Sequence, residues 1–262
     1  MKNIKINPYP NFTITEECIE RDIKPNSQPI KSVDNTGGII NNLNFNKPLK
    51  MISEFMDGNK RVIRTGPVIE SKNEKYFSVF PNPVHLFFDT SITHFNNSEE
   101  IKKNSFPKCA QKTNKKIEGV NFLDIDADET HVCYDEFFKY RMNSIIMLFT
   151  SVEAFINHSI PCNYPNRDEI ERHEKFKIKL RKHLPESLGF DDFWSDKEII
   201  YNEIIELYQI RNDLIHLKTN SEDDFEAYFE VVKKIPTYNI SKAILKVGEF
   251  MNKIKPDFIV YM

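Results

Sequence analysis

Glycine is scarce, 7 residues in 262, while aromatics are plentiful at 21 Phe and 10 Tyr. That balance excludes a collagen-like or linker-like chain, and with 40% hydrophobic residues there is enough apolar material to fill a core. The four cysteines, Cys18, Cys109, Cys133 and Cys162, stand far apart without a C-x-x-C spacing. Neither a zinc site nor a disulfide framework is expected, and the thiols read as reduced and incidental. No apolar run approaches the ~18 residues of a membrane helix, and residues 1–10 lack the apolar centre of a signal peptide. The expectation is a cytoplasmic protein with no membrane partner. A basic excess is also missing: the net charge is -3 and the pI near 6.2. An activity toward RNA would therefore need local basic patches, and DNA is not an expected partner.

What is present divides unevenly along the chain. Residues 1 to about 50 are rich in Asn, Pro and Lys, the chemistry of loops or an arm. From Arg61 to Asp89, β-favouring runs (Arg61 to Ile69, Lys75 to Phe80, Val84 to Phe88) alternate with Gly66-Pro67, Ser71-Lys72-Asn73 and Pro81-Asn82-Pro83, which predicts a small sheet. Asn96 to Lys116 is polar and reads as a loop or short helix. After Thr130 the period becomes helical, with Phe138, Met142, Ile145, Phe149, Val152 and Ile156 tracing one stripe that ends before Pro161. A charged helix is predicted over Arg167 to His183. Another should start at a Ser195-Asp196-Lys197-Glu198 capping box and run to about Lys218, a short one should start at Ser221, and the last should span Ile240 to Ile254. The expected class is α+β: a mixed, β-containing region over 1–125 and an all-α bundle over 126–262.

The Ser195 helix carries an anomaly. At about 100° per residue, with Ile200 at zero, Ile204, Leu207, Leu214 and Ile215 fall between about -40° and 60°, and Arg211 falls near 20°, amid apolar neighbours. A core-facing arginine costs several kcal/mol unless its charge is met. Glu153, beside Phe149 and Ile156 on the long helix, is the expected partner. His216, near 160°, shares a side with Asn212 one turn earlier, so those two can act on one ligand. A plainer reading makes Arg211 a buried anchor and His216 a complement to the helix dipole.

Tyr208-Gln209-Ile210-Arg211-Asn212-Asp213-Leu214-Ile215-His216 resembles the signature of HEPN domains, in which an arginine, commonly followed by a polar residue, precedes a histidine late in a core helix. Ser151-Val152-Glu153-Ala154-Phe155-Ile156-Asn157 resembles the first core helix of such domains, whose acidic residue faces the motif. The resemblance covers about residues 130–262. It implies an endoribonuclease that cleaves RNA without metal or other cofactor through attack by the ribose 2′-hydroxyl, with two motifs brought together in a homodimer. His216 would be the acid/base, Arg211 would stabilise the phosphate and Asn212 would orient, with Glu153, Asn157 and Tyr208 in support. The implied setting is a toxin or anti-phage defence effector, with RNA, a second copy of the chain and an antitoxin or regulatory protein as partners.

The alternatives are a non-catalytic HEPN-like module that binds RNA, nucleotide or protein, and a nucleotide-handling domain held by a separate antitoxin. Three further signals are weaker. Asp124 to Glu129 begins like a calcium loop but has Glu129 where glycine is required and Asp135 at the twelfth position, so it reads as a solvated linker. His158 reads as a helix-end residue that could also face the Glu153 cleft. The lysine runs at 102–103, 112–116 and 175–182 are solvated faces or phosphate contacts.

Overall fold

The structure, a computed structural model, describes residues 4–6, 28–30, 49–54, 61–66, 68–77, 82–114, 116–121, 123, 131–216 and 225–261. It divides into two compact units, residues 9–82 and residues 1–8 with 83–262. The division therefore falls at 82/83, not near 125.

The described strands of β1 (Ile4–Ile6), β2 (Gln28–Ile30), β3 (Leu49–Glu54), β4 (Arg61–Gly66), β5 (Val68–Ser71) and β6 (Glu74–Phe77) account for the β-rich region. In unit 9–82, β3 pairs parallel with β2 and antiparallel with β4, with Leu49 opposite Gly66. β5 and β6 form a hairpin closed by Lys72 and Asn73, both at positive φ (52° and 67°). Two successive left-handed residues give the twist that a two-residue hairpin needs.

The other unit is mostly helical. The run Val84 to Phe88, expected as a strand, is helical. It opens α1 (Pro83–Glu100), where Pro83 presets the first turn and Val84, Phe88, Ser91, Phe95 and Ser98 recur at helical steps on the buried side. A wider π-helical turn (Ile101–Ser105), α2 (Phe106–Thr113) and a small hairpin of β7 (Lys116–Ile117) and β8 (Val120–Asn121) follow. Residues 124–130, with the acidic linker, lie outside the described residues.

The long α3 (His131–Ser159) is the axis of the bundle. It packs on α1 at a close crossing where the Ser91 hydroxyl donates to Ser144 O and the Ser144 hydroxyl to Ser91 O, each at 2.9 Å and both wholly buried. Its stripe of Ile145, Leu148, Phe149, Val152, Phe155 and Ile156 forms the core. Also buried on it is Arg141, whose Nε donates to Ile235 O (2.9 Å), Nη2 to Tyr238 O (2.6 Å) and Nη1 to Glu99 (3.0 Å). Every edge of that guanidinium is used.

The charged helix expected over Arg167 to His183 is broken. α4 (Arg167–His173) ends where Glu174 and Lys175 turn extended, and this swings Phe176 into the core. The chain resumes as α5 (Phe176–Ile178), a π-helical turn (Lys179–His183) and α6 (Leu184–Ser187). The next helix, α7 (Glu198–Ile215), starts two residues late for the expected capping box: the Ser195 hydroxyl donates to Asp192 O, and Lys197 caps the helix without a side-chain bond. Trp194 explains the delay. Its ring stacks on Phe250 and its indole N–H donates to Leu180 O (3.2 Å), which holds the approach to the helix in turns. α8 (Phe225–Val232) and the single turn α9 (Lys234–Thr237) lead to α10 (Ile240–Ile254), capped by Asn239 and packed on α3 and α7, and β9 (Ile259–Tyr261) pairs with β1. The start expected at Ser221 lies outside the described residues. No described helix is long and apolar enough to cross a membrane.

Candidate functional site

Helix α7 carries the Arg211 to His216 segment at its C-terminal end. Its buried residues are Ile200, Glu203, Ile204, Leu207, Ile210 and Leu214, while Ile215 is exposed. Glu203 and Ile210, near -60° and -80° in the frame above, rotate the buried stripe away from Ile215. Arg211 accordingly sits at the edge of the stripe rather than in its middle, and it is half-buried.

The expected Glu153–Arg211 pair does not form. The guanidinium carbon lies 5.2 Å from the centre of the Phe149 ring, one turn of α3 before Glu153, and Nη1 donates to Asn212 Oδ1 at 2.9 Å. Buried Nε has no hydrogen-bond partner, and among the described residues Arg211 meets no carboxylate. A ring face attracts a cation without cancelling its charge. Arg211 is thus fixed on two sides yet electrostatically unspent. Glu153 is half-buried and makes no hydrogen bond or ion pair among the described residues.

Tyr208 belongs to the platform beneath the arginine. Its ring stacks on Phe176 (5.0 Å, 18°) and tilts against Phe149 (5.5 Å), while Phe149 meets Phe176 edge-on at 4.8 Å. Asn157 is elsewhere: it lies eight residues, about 12 Å, along α3 from Phe149, and its Oδ1 accepts from Lys179 Nζ at 3.4 Å. Lys179, nearly fully buried in a π-helical turn, also donates to Glu171 O at 2.7 Å. Asn157 therefore serves the α3–α4 junction and not the motif. His158 lies in the last turn of α3 on its exposed side.

His216 is the first residue past α7. Its backbone N–H donates to Asn212 O at 3.0 Å, and its side chain is exposed. Asn212 thus touches both ends of the motif: its amide oxygen holds Arg211, and its carbonyl holds the backbone of His216. No hydrogen bond joins Arg211 to His216 directly.

On another side of α7, a cleft of about 640 Å³ is lined by Glu203, Glu206, Asp213, Lys234, Tyr238 and Lys242 among others. Glu203 is buried, 2.5 Å from Lys242 Nζ, and accepts from the Tyr238 hydroxyl at 3.5 Å. Burial and the neighbouring Glu203 push the Tyr238 hydroxyl well up from its ordinary value. Lys234 pairs with Asp213 at 3.3 Å. Glu203 and Asp213 on this side of α7 are thus each paired with a lysine. Among the described residues no three His, Cys, Asp or Glu side chains gather as a metal site.

Two features escaped the sequence reading. The platform of Phe149, Phe176 and Tyr208 depends on the break at Glu174, for which the sequence has no proline or glycine signal. Lys179 was hidden among surface lysines. No family model matches the chain, and no curated protein or solved structure matches it.

Proposed function

We propose that the chain is a metal-independent endoribonuclease of the HEPN type, acting as a toxin or anti-phage effector. The observation that carries this reading is the state of Arg211: held by the Phe149 ring and Asn212, met by no carboxylate, and five residues before an exposed imidazole that faces another side of the helix. A guanidinium so held offers donors to a phosphate without having to break an ion pair first.

In the reaction, the ribose 2′-oxygen bonds to the adjacent phosphorus, the P–O5′ bond breaks, and the products are a 2′,3′-cyclic phosphate and a 5′-hydroxyl. One group must take the 2′-hydroxyl proton and another must give a proton to the leaving 5′-oxygen. His216 is suited to one of these roles, Arg211 to charge on the phosphate oxygens, and Asn212 to keeping Arg211 in register. A second copy of the chain, related by a twofold axis, would bring the partner's His216 for the other proton.

The test is incubation of purified protein with mixed RNA in EDTA, wild type beside His216→Ala and Arg211→Ala, with oligomeric state read by sedimentation. Cleavage by wild type alone is expected, from a dimer. Equal results from all three folded proteins would end the catalytic reading, leaving a binding module. Cleavage by a strict monomer would end the dimeric one.

A further inference from the structure

Three cations lie beside α7, each over an aromatic ring. Arg181 is seated 5.8 Å from the centre of Tyr201, Lys177 5.8 Å from the centre of Tyr208, and Arg211 5.2 Å from the centre of Phe149. The pairing fixes the direction. Residue 181 meets 201 and residue 177 meets 208, so the segment 176–183 runs antiparallel along the helix. Its two cations are anchored at points seven residues, or about 10 Å, apart on α7. Tyr201, Tyr208, Asn212 and His216 fall between about 80° and 160° in the angular frame of the helix and Arg211 is set back near 20°, so the two exposed cations lead toward the motif.

None of the three cations is in an ion pair among the described residues. Of the acids of α7, Glu203 near -60°, Glu206 near -120° and Asp213 near -140° lie on other sides, while Glu198 near 160° shares the side at the far end of the helix and makes no ion pair with the three cations. Lys177 and Arg181 are exposed at their own positions, and the rings under them restrain long side chains that would otherwise sweep freely. A chain of net charge -3 therefore carries, beside its motif, three positive charges that make no ion pair among the described residues.

We propose that Arg181, Lys177 and Arg211 form a track for the phosphates of a single RNA strand, with Arg211 at the bond to be cleaved and Lys177 and Arg181 on successive flanking phosphates. The inference rests on the ribonuclease reading above and names how the strand is held. Cationic rows backed by aromatic side chains suit single strands, whose backbone can follow the row without a duplex groove. Lys177 and Arg181 here bind and align substrate; they are not catalytic residues.

The experiment uses the full chain and a 20-nucleotide single-stranded RNA, unmodified for cleavage and fully 2′-O-methylated for binding. Binding is followed by fluorescence anisotropy from low to high salt for wild type, Lys177→Gln, Arg181→Gln, the double variant and Lys182→Gln, which makes the same charge change without a ring contact. Each phosphate contact contributes about 0.7 to the slope of log affinity against log salt for single strands, or about fourfold in affinity at 0.15 M salt. Lys177→Gln and Arg181→Gln should each lower the slope by about 0.7 and raise KM for the unmodified strand with little change in kcat, with the double variant additive and Lys182→Gln close to wild type.

Cleavage by wild type with slopes unchanged in both single variants overturns the track and leaves the ribonuclease reading standing. Slope losses at 177 and 181 without cleavage by wild type keep the track and overturn the ribonuclease. An equal loss from Lys182→Gln overturns the track in favour of a diffuse charge effect.

Discussion

His85 should make the helical unit lose stability on mild acidification. It is buried on α1 with its ring 4.6 Å from the Phe258 ring, and neither ring nitrogen has a hydrogen-bond partner. Burial penalises the imidazolium and lowers its pKa from 6.5 to about 4. In the unfolded chain the same side chain takes a proton near pH 6.5, so between 6.5 and 4 the unfolded state binds more protons than the folded one. A depressed histidine therefore contributes nothing at pH 7 and becomes a liability as pH falls. The difference amounts to about 2 kcal/mol lost between pH 7 and pH 5. Trp194 is the only tryptophan and stacks on Phe250 in this unit, so its fluorescence in urea reports unfolding of the helical part alone. His85→Leu should be at least as stable as wild type at pH 7, because it removes two unsatisfied buried nitrogens. Its stability should fall by about 2 kcal/mol less on going to pH 5. Parallel stability curves for the two proteins from pH 7 to pH 5 would refute the reasoning.

Two arginines on apolar stripes should differ in how much stability they contribute. Arg141→Leu strands two backbone carbonyls and Glu99, and should cost about 3 kcal/mol in urea unfolding. Arg211→Leu loses one hydrogen bond and one ring contact, and should cost less than about 1 kcal/mol. Glu153→Gln should change stability by less than about 0.5 kcal/mol, since no ion pair is lost; a loss of several times that would restore the pairing with Arg211. Cys133 is buried with its thiol pushed up to about 11 by burial and by the Cys109 thiol beside it. Iodoacetamide at pH 8 should leave it unmodified in the native protein and alkylate it in urea, as read by mass spectrometry of peptides.

The sequence patterns that proved readable were long and amphipathic. α10 matches the expected Ile240 to Ile254 at both ends because Ile244, Val247 and Met251 repeat on one side and face a single core. Val84 to Phe88 misled because five residues of β-favouring character look alike in a strand and in a buried helix, and the deciding contacts lie across the Ser91–Ser144 crossing, 53 residues apart. Ser195 had the right spacing for a cap, but Trp194 docking on Phe250 won the local competition. Of the candidate residues that the resemblance singled out, the structure joins Arg211 to Asn212 by a side-chain hydrogen bond and Asn212 to His216 by a backbone one. The partner of the arginine was not legible in the sequence. A helical wheel shows which carboxylates are near, but not that a Phe149 ring and an adjacent amide can hold a guanidinium at the edge of a stripe, nor that Asn157 is taken by Lys179.

The central claim is that Arg211 and His216 cleave RNA through its own 2′-hydroxyl. It is met most directly by presenting the purified full chain, in EDTA, with one end-labelled RNA strand and the same strand 2′-O-methylated throughout. The account predicts that wild type cuts only the unmodified strand, leaving 2′,3′-cyclic phosphate ends, and that His216→Ala cuts neither. Equal cutting of both strands, or cutting by folded His216→Ala at the rate of wild type, would contradict it.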